Sequence, residues 1–236
     1  MALERTAKEL EIDLIHLTFE MGKSKKEWKS PTSGKWVLVE DAVLDHFKNI
    51  GWRGYSREGG LLLNLIKAMS FPKVDDRNRA TYIEALYAKN VAFDEDKYEV
   101  EWLLKNVNIA TKKKIRKNFK IMSSSKAHTW FGFGFSSTST TSMLDFFPNL
   151  EEWMFIELYE ALGNYKLREI AKIFAKNPYE YRKGWPDLTI WKNGKVKFLE
   201  VKSPGDRLHK SQKTIINDII KPLNLDFSLV DVEGLM

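Results

Sequence analysis

"GWPDLTIWKNGKVKFLEVKSPGDRLHKSQK", residues Gly184 to Lys213, sets two short apolar runs around Asn193-Gly194 and ends in a basic, helix-compatible segment. Asn-Gly between such runs is the strongest short-range hairpin signal, because both turn positions need positive φ. Leu188–Trp191 and Val196–Lys202 are therefore expected to pair as strands. A two-residue turn conserves the sum of paired positions, which places 187 opposite roughly 200. Alternate side chains of a strand share a face, so Val196, Phe198, Glu200 and Lys202 point one way and Lys197, Leu199 and Val201 the other. Asp187 and Glu200 are thus expected side by side. Lys202 follows on the same face, roughly 6–7 Å from Glu200 at the Cα atoms.

Two adjacent carboxylates repel, so one holds a proton or a cation lies between them. Hard divalent ions such as Mg²⁺ and Mn²⁺ prefer oxygen ligands and complete their shells with water and substrate phosphate. A lysine on that face can orient or deprotonate a water, or stabilise negative charge developing on phosphate. An acid meeting acid-x-lysine across a hairpin is what metal-assisted phosphodiester hydrolysis requires. Each half alone is ordinary. Glu200 and Lys202 could form a surface ion pair worth under about 1 kcal/mol, and Asp after Pro is a common turn residue. The shared register is what joins them.

Around the hairpin, helical periodicity resumes at about Asn149 and Lys166 before it, and from about Leu208 to Ile220 after it; Phe227–Val232 reads as a last strand. Helices first, then β-β-α-β, predicts an α/β (mixed α+β) fold whose mixed sheet is flanked by helices. Gln212 shares helical spacing with Ile215, Ile216 and Ile219, which points it from the sheet-facing stripe toward the acids. Two readings are level: an amide supporting the site, or one capping a backbone group at the helix start.

Upstream, one helix is expected from Leu3 to about Met21, then a basic turn-rich segment, a helix Val39–Ile50, and a glycine-punctuated turn feeding a helix that ends at Pro72. Glu58 stands four, seven, eight and eleven residues before Leu62, Leu65, Ile66 and Met69, on the apolar stripe of that helix. An inward carboxylate is costly unless paired or metal-bound. A glutamate at a helix N-terminus, stabilised by the dipole and free amides, is the simpler account of the residue itself. From Pro72 to about Ile121 the pattern is helical and heavily charged. Ser123–Ser142 reads as a long loop rich in Ser, Thr and aromatics. Trp130, Phe131, Phe133 and Phe135 are expected to pack beneath it, with stacking on unpaired bases as the alternative.

The motifs Gly184-x-Pro186-Asp187-Leu188, Glu200-Val201-Lys202, Pro204-x-Asp206-Arg207-Leu208 and Gln212 resemble, in order and spacing, the VRR-NUC module of the Fanconi-associated nuclease family, within the PD-(D/E)xK superfamily. "VLVEDAVLDHFKNIGWRGYSREGGLLLNL", Val37 to Leu65, is similar to the segment that opens the nuclease domain of that family. The resemblance implies a restriction-endonuclease-like core carrying a large helical insertion, here at about 72–176, with the catalytic β-β-α-β core at about 184–232. Residues 36–236 would form the nuclease domain, preceded by a helical and basic segment 1–35. It also implies that Asp187, Glu200 and Glu58 ligate Mg²⁺ or Mn²⁺ with the Val201 carbonyl, and that Lys202 is the catalytic lysine. The implied substrate is branched or flapped DNA, in repair or recombination. A Holliday-junction resolvase is the first alternative, although the insertion argues against the dimer of short stand-alone modules; a monomer is expected. A catalytically silent DNA-binding module is the second, and the intact acids and lysine argue against it.

Composition is compatible with this. The 236 residues suffice for a proper core, and 43% hydrophobic with 30% charged residues is ordinary for a globular chain. A net charge of +6 mildly favours polyanions. Arg182, Lys183, Arg207 and Lys210 flank the hairpin and are the expected contacts to the DNA backbone. The basic run Lys112–Lys120 is either a solvated helical face or a phosphate contact. Cysteine is absent, which excludes thiol chemistry and zinc-finger sites, and the four His show no metal spacing. No phosphate-binding glycine loop occurs, so no nucleotide cofactor is expected. No apolar run matches a membrane span or a signal peptide, and a cytoplasmic, nucleoid-associated or nuclear location is expected.

Overall fold

A computed structural model describes residues 2–24, 26–75, 78–79, 81–88, 99–124, 127–131, 135–139 and 142–235. The chain divides into two compact units, residues 1–59 with 183–236, and residues 60–182.

The first unit opens with α1 (Ala2–Leu10) and β1 (Asp13–Glu20). The single helix expected to about Met21 is therefore corrected. Glu11 takes a positive φ of 52°, which ends the helix, and His16-Leu17-Thr18-Phe19-Glu20 alternates polar and apolar as a strand does. A two-strand ribbon, β2 (Trp28–Lys29) and β3 (Trp36–Val37), leads into α2 (Val39–Asn49) and β4 (Arg53–Ser56).

The second unit holds α3 (Gly60–Ser70), α4 (Ile83–Tyr87), α5 (Val100–Asn108), α6 (Lys112–Met122), the strands β5 (Ala127–Phe131) and β6 (Phe135–Ser139), α7 (Met143–Phe146) and α8 (Glu152–Phe174). The insertion expected at about 72–176 falls within it. The loop expected over Ser123–Ser142 is corrected where it is described: β5 and β6 pair antiparallel, from Ala127 with Ser139 to Phe131 with Phe135. Thr and aromatic residues favour strands over loops. Phe133 lies outside the described residues. Asn118 ties this unit together, donating from Nδ2 to the carbonyls of Ala68 and Phe71 while its Oδ1 accepts from the Val74 N–H.

Returning to the first unit, β7 (Leu188–Lys192) and β8 (Lys195–Lys202) form the hairpin, with Asn193 and Gly194 at φ 51° and 74° as the turn demands. α9 (Lys210–Ile215) passes into one π-helical turn, Ile216–Ile220, and β9 (Asp226–Leu235) closes the chain. The five-stranded sheet runs β1-β9-β8-β7-β4. β1, β9 and β8 are parallel, while β8, β7 and β4 are antiparallel, so the sheet is mixed as expected.

The register assigns the two faces. Leu188, Ile190, Leu199, Val201, Val230, Val232 and Phe19 share one core with Ala42, Val43, Leu44 and Phe47 of α2. Thr189, Phe198, Glu200, Lys202, Leu229 and Asp231 alternate with these and point to the other face.

Candidate active site

The hairpin pairs Leu188 with Leu199 and Lys192 with Lys195. The next step of that ladder sets Asp187 beside Glu200, as the turn arithmetic requires. Asp187 Oδ2 accepts the Val201 N–H at 2.8 Å, so the first acid is anchored to the backbone between the second acid and the lysine. Val201 turns its side chain into the α2-facing core, which leaves its peptide group at the site.

Glu200 is 1% exposed and Lys202 5%. Lys202 Nζ donates to Glu200 Oε1 at 2.7 Å and to Gln212 Oε1 at 3.2 Å. Gln212 Nε2 donates to the same Glu200 oxygen, while Gln212 Oε1 also accepts the His209 N–H at 2.7 Å. Gln212 thus caps the start of α9 and also bridges Glu200 and Lys202. Its orientation is settled by its neighbours, since the oxygen meets two donors and the nitrogen an acceptor.

Electrostatics follow from burial. Asp187 is pushed up to about 6, first by loss of solvent; the Val201 N–H opposes this, Glu40 adds repulsion and Lys202 attraction. Glu200 is raised well above its ordinary value, first by burial and then by Asp187, with Lys202 opposing. Two buried acids that resist joint ionisation are a donor set that a divalent cation fits. Glu40, in the first turn of α2, is an acid the sequence reading passed over. Its charge reaches Asp187 although 147 positions separate them, which helical periodicity cannot reveal.

Glu58 is not on the apolar stripe of α3. It is exposed in the turn between β4 and α3, which corrects the sequence expectation. The turn is clamped to the hairpin's entry. Arg57 donates its N–H to the Asp187 carbonyl at 3.0 Å, and Gly59 donates to Pro186 at 3.4 Å. Arg57 holds a φ of 148°, a strained conformation, with its guanidinium fixed by Asp41 Oδ1 and Ser56 Oγ at 3.2 and 3.0 Å. The Glu58 carboxylate accepts the Gly184 N–H. It is thus bonded to the residue three before Asp187.

Gly184 has two reasons to lack a side chain. Its φ is 86°, and a Cβ there would lie 2.4–2.7 Å from the backbone of Ser211 and Gln212. That close approach brings the start of α9 down onto the acids. Asp206 closes the preceding turn, accepting the Ser203 N–H at 3.0 Å. Arg182, Lys183, Arg207 and Lys210 are all exposed. In α6, Lys112 and Arg116 pair with Glu160 and Glu152, which leaves Lys113, Lys117 and Lys120 as its exposed basic stripe.

Residues 142–234 match the VRR-NUC domain. That match covers the C-terminal part of the chain. The hairpin, its acids, Lys202 and Gln212 all lie inside the matched span, whereas Glu58 and Glu40 precede it. The chain is also similar to the Fanconi-associated nuclease 1 homolog of Schizosaccharomyces pombe, with 25% identity over 215 residues, 87% of this chain and 28% of that protein. In fold it resembles paFAN1 in crystal structures with 2-nt and 1-nt 5′-flap DNA with gap. Their TM-scores are 0.63 and 0.61 at 19% and 18% identity, and each match covers 99% of this chain and 42% of that one. The resemblance read around the VRR-NUC motifs therefore holds, and the mixed α+β core is the fold these nucleases share. The chain spans under half the length of the proteins it matches. No helix among the described residues is long and apolar enough to cross a membrane.

Proposed function

We propose that the chain is a metal-dependent DNA nuclease that hydrolyses phosphodiester bonds in flapped or branched DNA during repair. One observation carries the reading: Asp187, Glu200 and Lys202 meet on one sheet face in a single hydrogen-bonded network, with both acids raised by burial. The VRR-NUC match and the likeness to paFAN1 bound to 5′-flap DNA support the nuclease class and the substrate.

Asp187, Glu200 and Glu58, with the Val201 carbonyl, would hold Mg²⁺ or Mn²⁺. A divalent ion in such a site lowers the pKa of bound water and screens phosphate charge. Lys202, held between Glu200 and Gln212, is placed to orient the attacking water or stabilise the phosphate oxygens. Arg182, Lys183, Arg207 and Lys210 would hold the DNA backbone. Residues from about 72 to 176 serve as the helical insertion, and the active species is a monomer.

The test is cleavage of end-labelled flap, junction, duplex and single-stranded DNA with Mg²⁺, Mn²⁺ or EDTA. Flap cleavage by the wild type, lost in EDTA and in Asp187→Ala, is expected. Equal cleavage by both proteins would overturn the site. Tight DNA binding with no cleavage under any condition would make the chain a binding module, and symmetric junction cleavage by a dimer would make it a resolvase.

A further inference from the structure

The parallel pairing of β1 with β9 sets His16 directly beside Asp231, and Glu233 lies two residues further along β9 on the same face. One ligand atom from each of the three can be chosen so that all lie within 4.8 Å of one another, and His16 Nδ1 stands 3.5 Å from Asp231 Oδ2. The face is that of Glu200 and Lys202: β9 pairs Asp231 with Lys202 on its other side, so His16, Asp231 and Lys202 form one row across three strands. The nuclease reading makes no use of His16 or Glu233.

We propose that His16, Asp231 and Glu233 form a second cation site, selective for a first-row divalent metal such as Zn²⁺ or Mn²⁺ over Mg²⁺. Imidazole nitrogen is a good ligand for transition ions and a poor one for Mg²⁺, which demands oxygen and holds its water. All three groups rise from paired strands, so their backbone is fixed and only side-chain torsions adjust on binding. Ligand atoms around a first-row ion stand about 3–3.5 Å apart given metal–ligand distances near 2.1 Å; the His16–Asp231 spacing of 3.5 Å already meets this, and the Glu233 carboxylate lies within 4.8 Å of both. His16 is 52% exposed, so a cation has free access and room for water or a phosphate oxygen in its shell. An ion here lies over β1 and β9, with its ligand Asp231 one strand, about 5 Å, from Lys202 on β8. The inference does not depend on the nuclease reading, because none of its ligands belongs to the proposed catalytic set.

The test uses the metal-stripped full chain carrying Asp187→Asn, so that the catalytic acids do not dominate binding. Mn²⁺ is titrated and followed by electron paramagnetic resonance, with nitrogen modulation as the signature of an imidazole ligand, and Zn²⁺ and Mg²⁺ are added as competitors. One Mn²⁺ with nitrogen coupling is expected, displaced by Zn²⁺ and not by equal Mg²⁺. His16→Ala should abolish the coupling, and Glu233→Gln should weaken binding at least about tenfold. Glu233→Gln decides the matter if His16→Ala fails to fold, as judged by circular dichroism. Absence of nitrogen coupling, or coupling and affinity unchanged in the variants, would overturn the proposal and leave a His–Asp ion pair.

Discussion

The hairpin β7–β8 and the edge pair β1–β9 both set acids beside a cationic or basic group on one face of the same sheet, in opposite surroundings. In the hairpin, Glu200 and Lys202 are buried and share a fixed network with Gln212. At the edge, the Asp231 side chain is 19% exposed, His16 is 52% exposed, and their link is 3.5 Å long. Water solvates the edge charges, so removing one costs little. The hairpin charges lack that option, and each depends on its neighbours or on a bound ion.

The difference can be broken first at Asp187. Asp187→Asn keeps the shape, and flap cleavage should fall about a thousandfold or more, on the order of 4 kcal/mol in the barrier, while Asp231→Asn retains most of it; single-turnover rates on labelled flap DNA decide. Gly184→Ala forces a Cβ into the backbone of Ser211 and Gln212, so a loss of roughly 2–4 kcal/mol in a urea melt is expected, with cleavage lost too.

pH probes the buried pair directly. Both acids are raised in the fold, Asp187 to about 6, and return to about 4 on unfolding. Between those values the folded state holds more protons than the unfolded one, so their contribution is present below about pH 4 and is lost as pH rises to about 6 and beyond. The metal-free wild type should lose several degrees of melting temperature across that window relative to an Asp187→Asn/Glu200→Gln control. Saturating Mn²⁺ should restore it.

Gln212→Ala removes the partner that fixes Lys202 and Glu200, and cleavage should drop about ten- to a hundredfold. Gln212→Glu should not rescue it, since a third acid would face Glu200. The smallest effect belongs to the rim: Arg207→Ala with Lys210→Ala should weaken DNA binding severalfold and flatten its dependence on salt, leaving the single-turnover rate at saturating DNA unchanged.

These regions also differ in what the sequence discloses. Hairpin register needs only a turn dipeptide and an alternation rule, so Asp187, Glu200 and Lys202 could be paired without any long-range information. β1 finds its partner more than 200 residues away, and its helix-like run of charges hid the period of two in His16–Glu20. The four His therefore showed no ligand spacing, because the spacing lies across strands rather than along the chain. Glu58 was legible as an anomalous acid but not as a turn residue, since the strained φ of Arg57 that shapes the turn leaves no compositional sign.

The second unit leaves and re-enters the first along the chain at one place. Gly59 and Lys183 follow and precede residues bonded to each other, Glu58 to Gly184, and β4 and β7 continue as sheet neighbours on either side. The ladder is therefore indifferent to how much chain lies in the excursion. Closing a longer loop at such a point costs only a logarithm of its length. The helical unit can therefore change in length while Asp187 and Glu200 keep their register across the sheet.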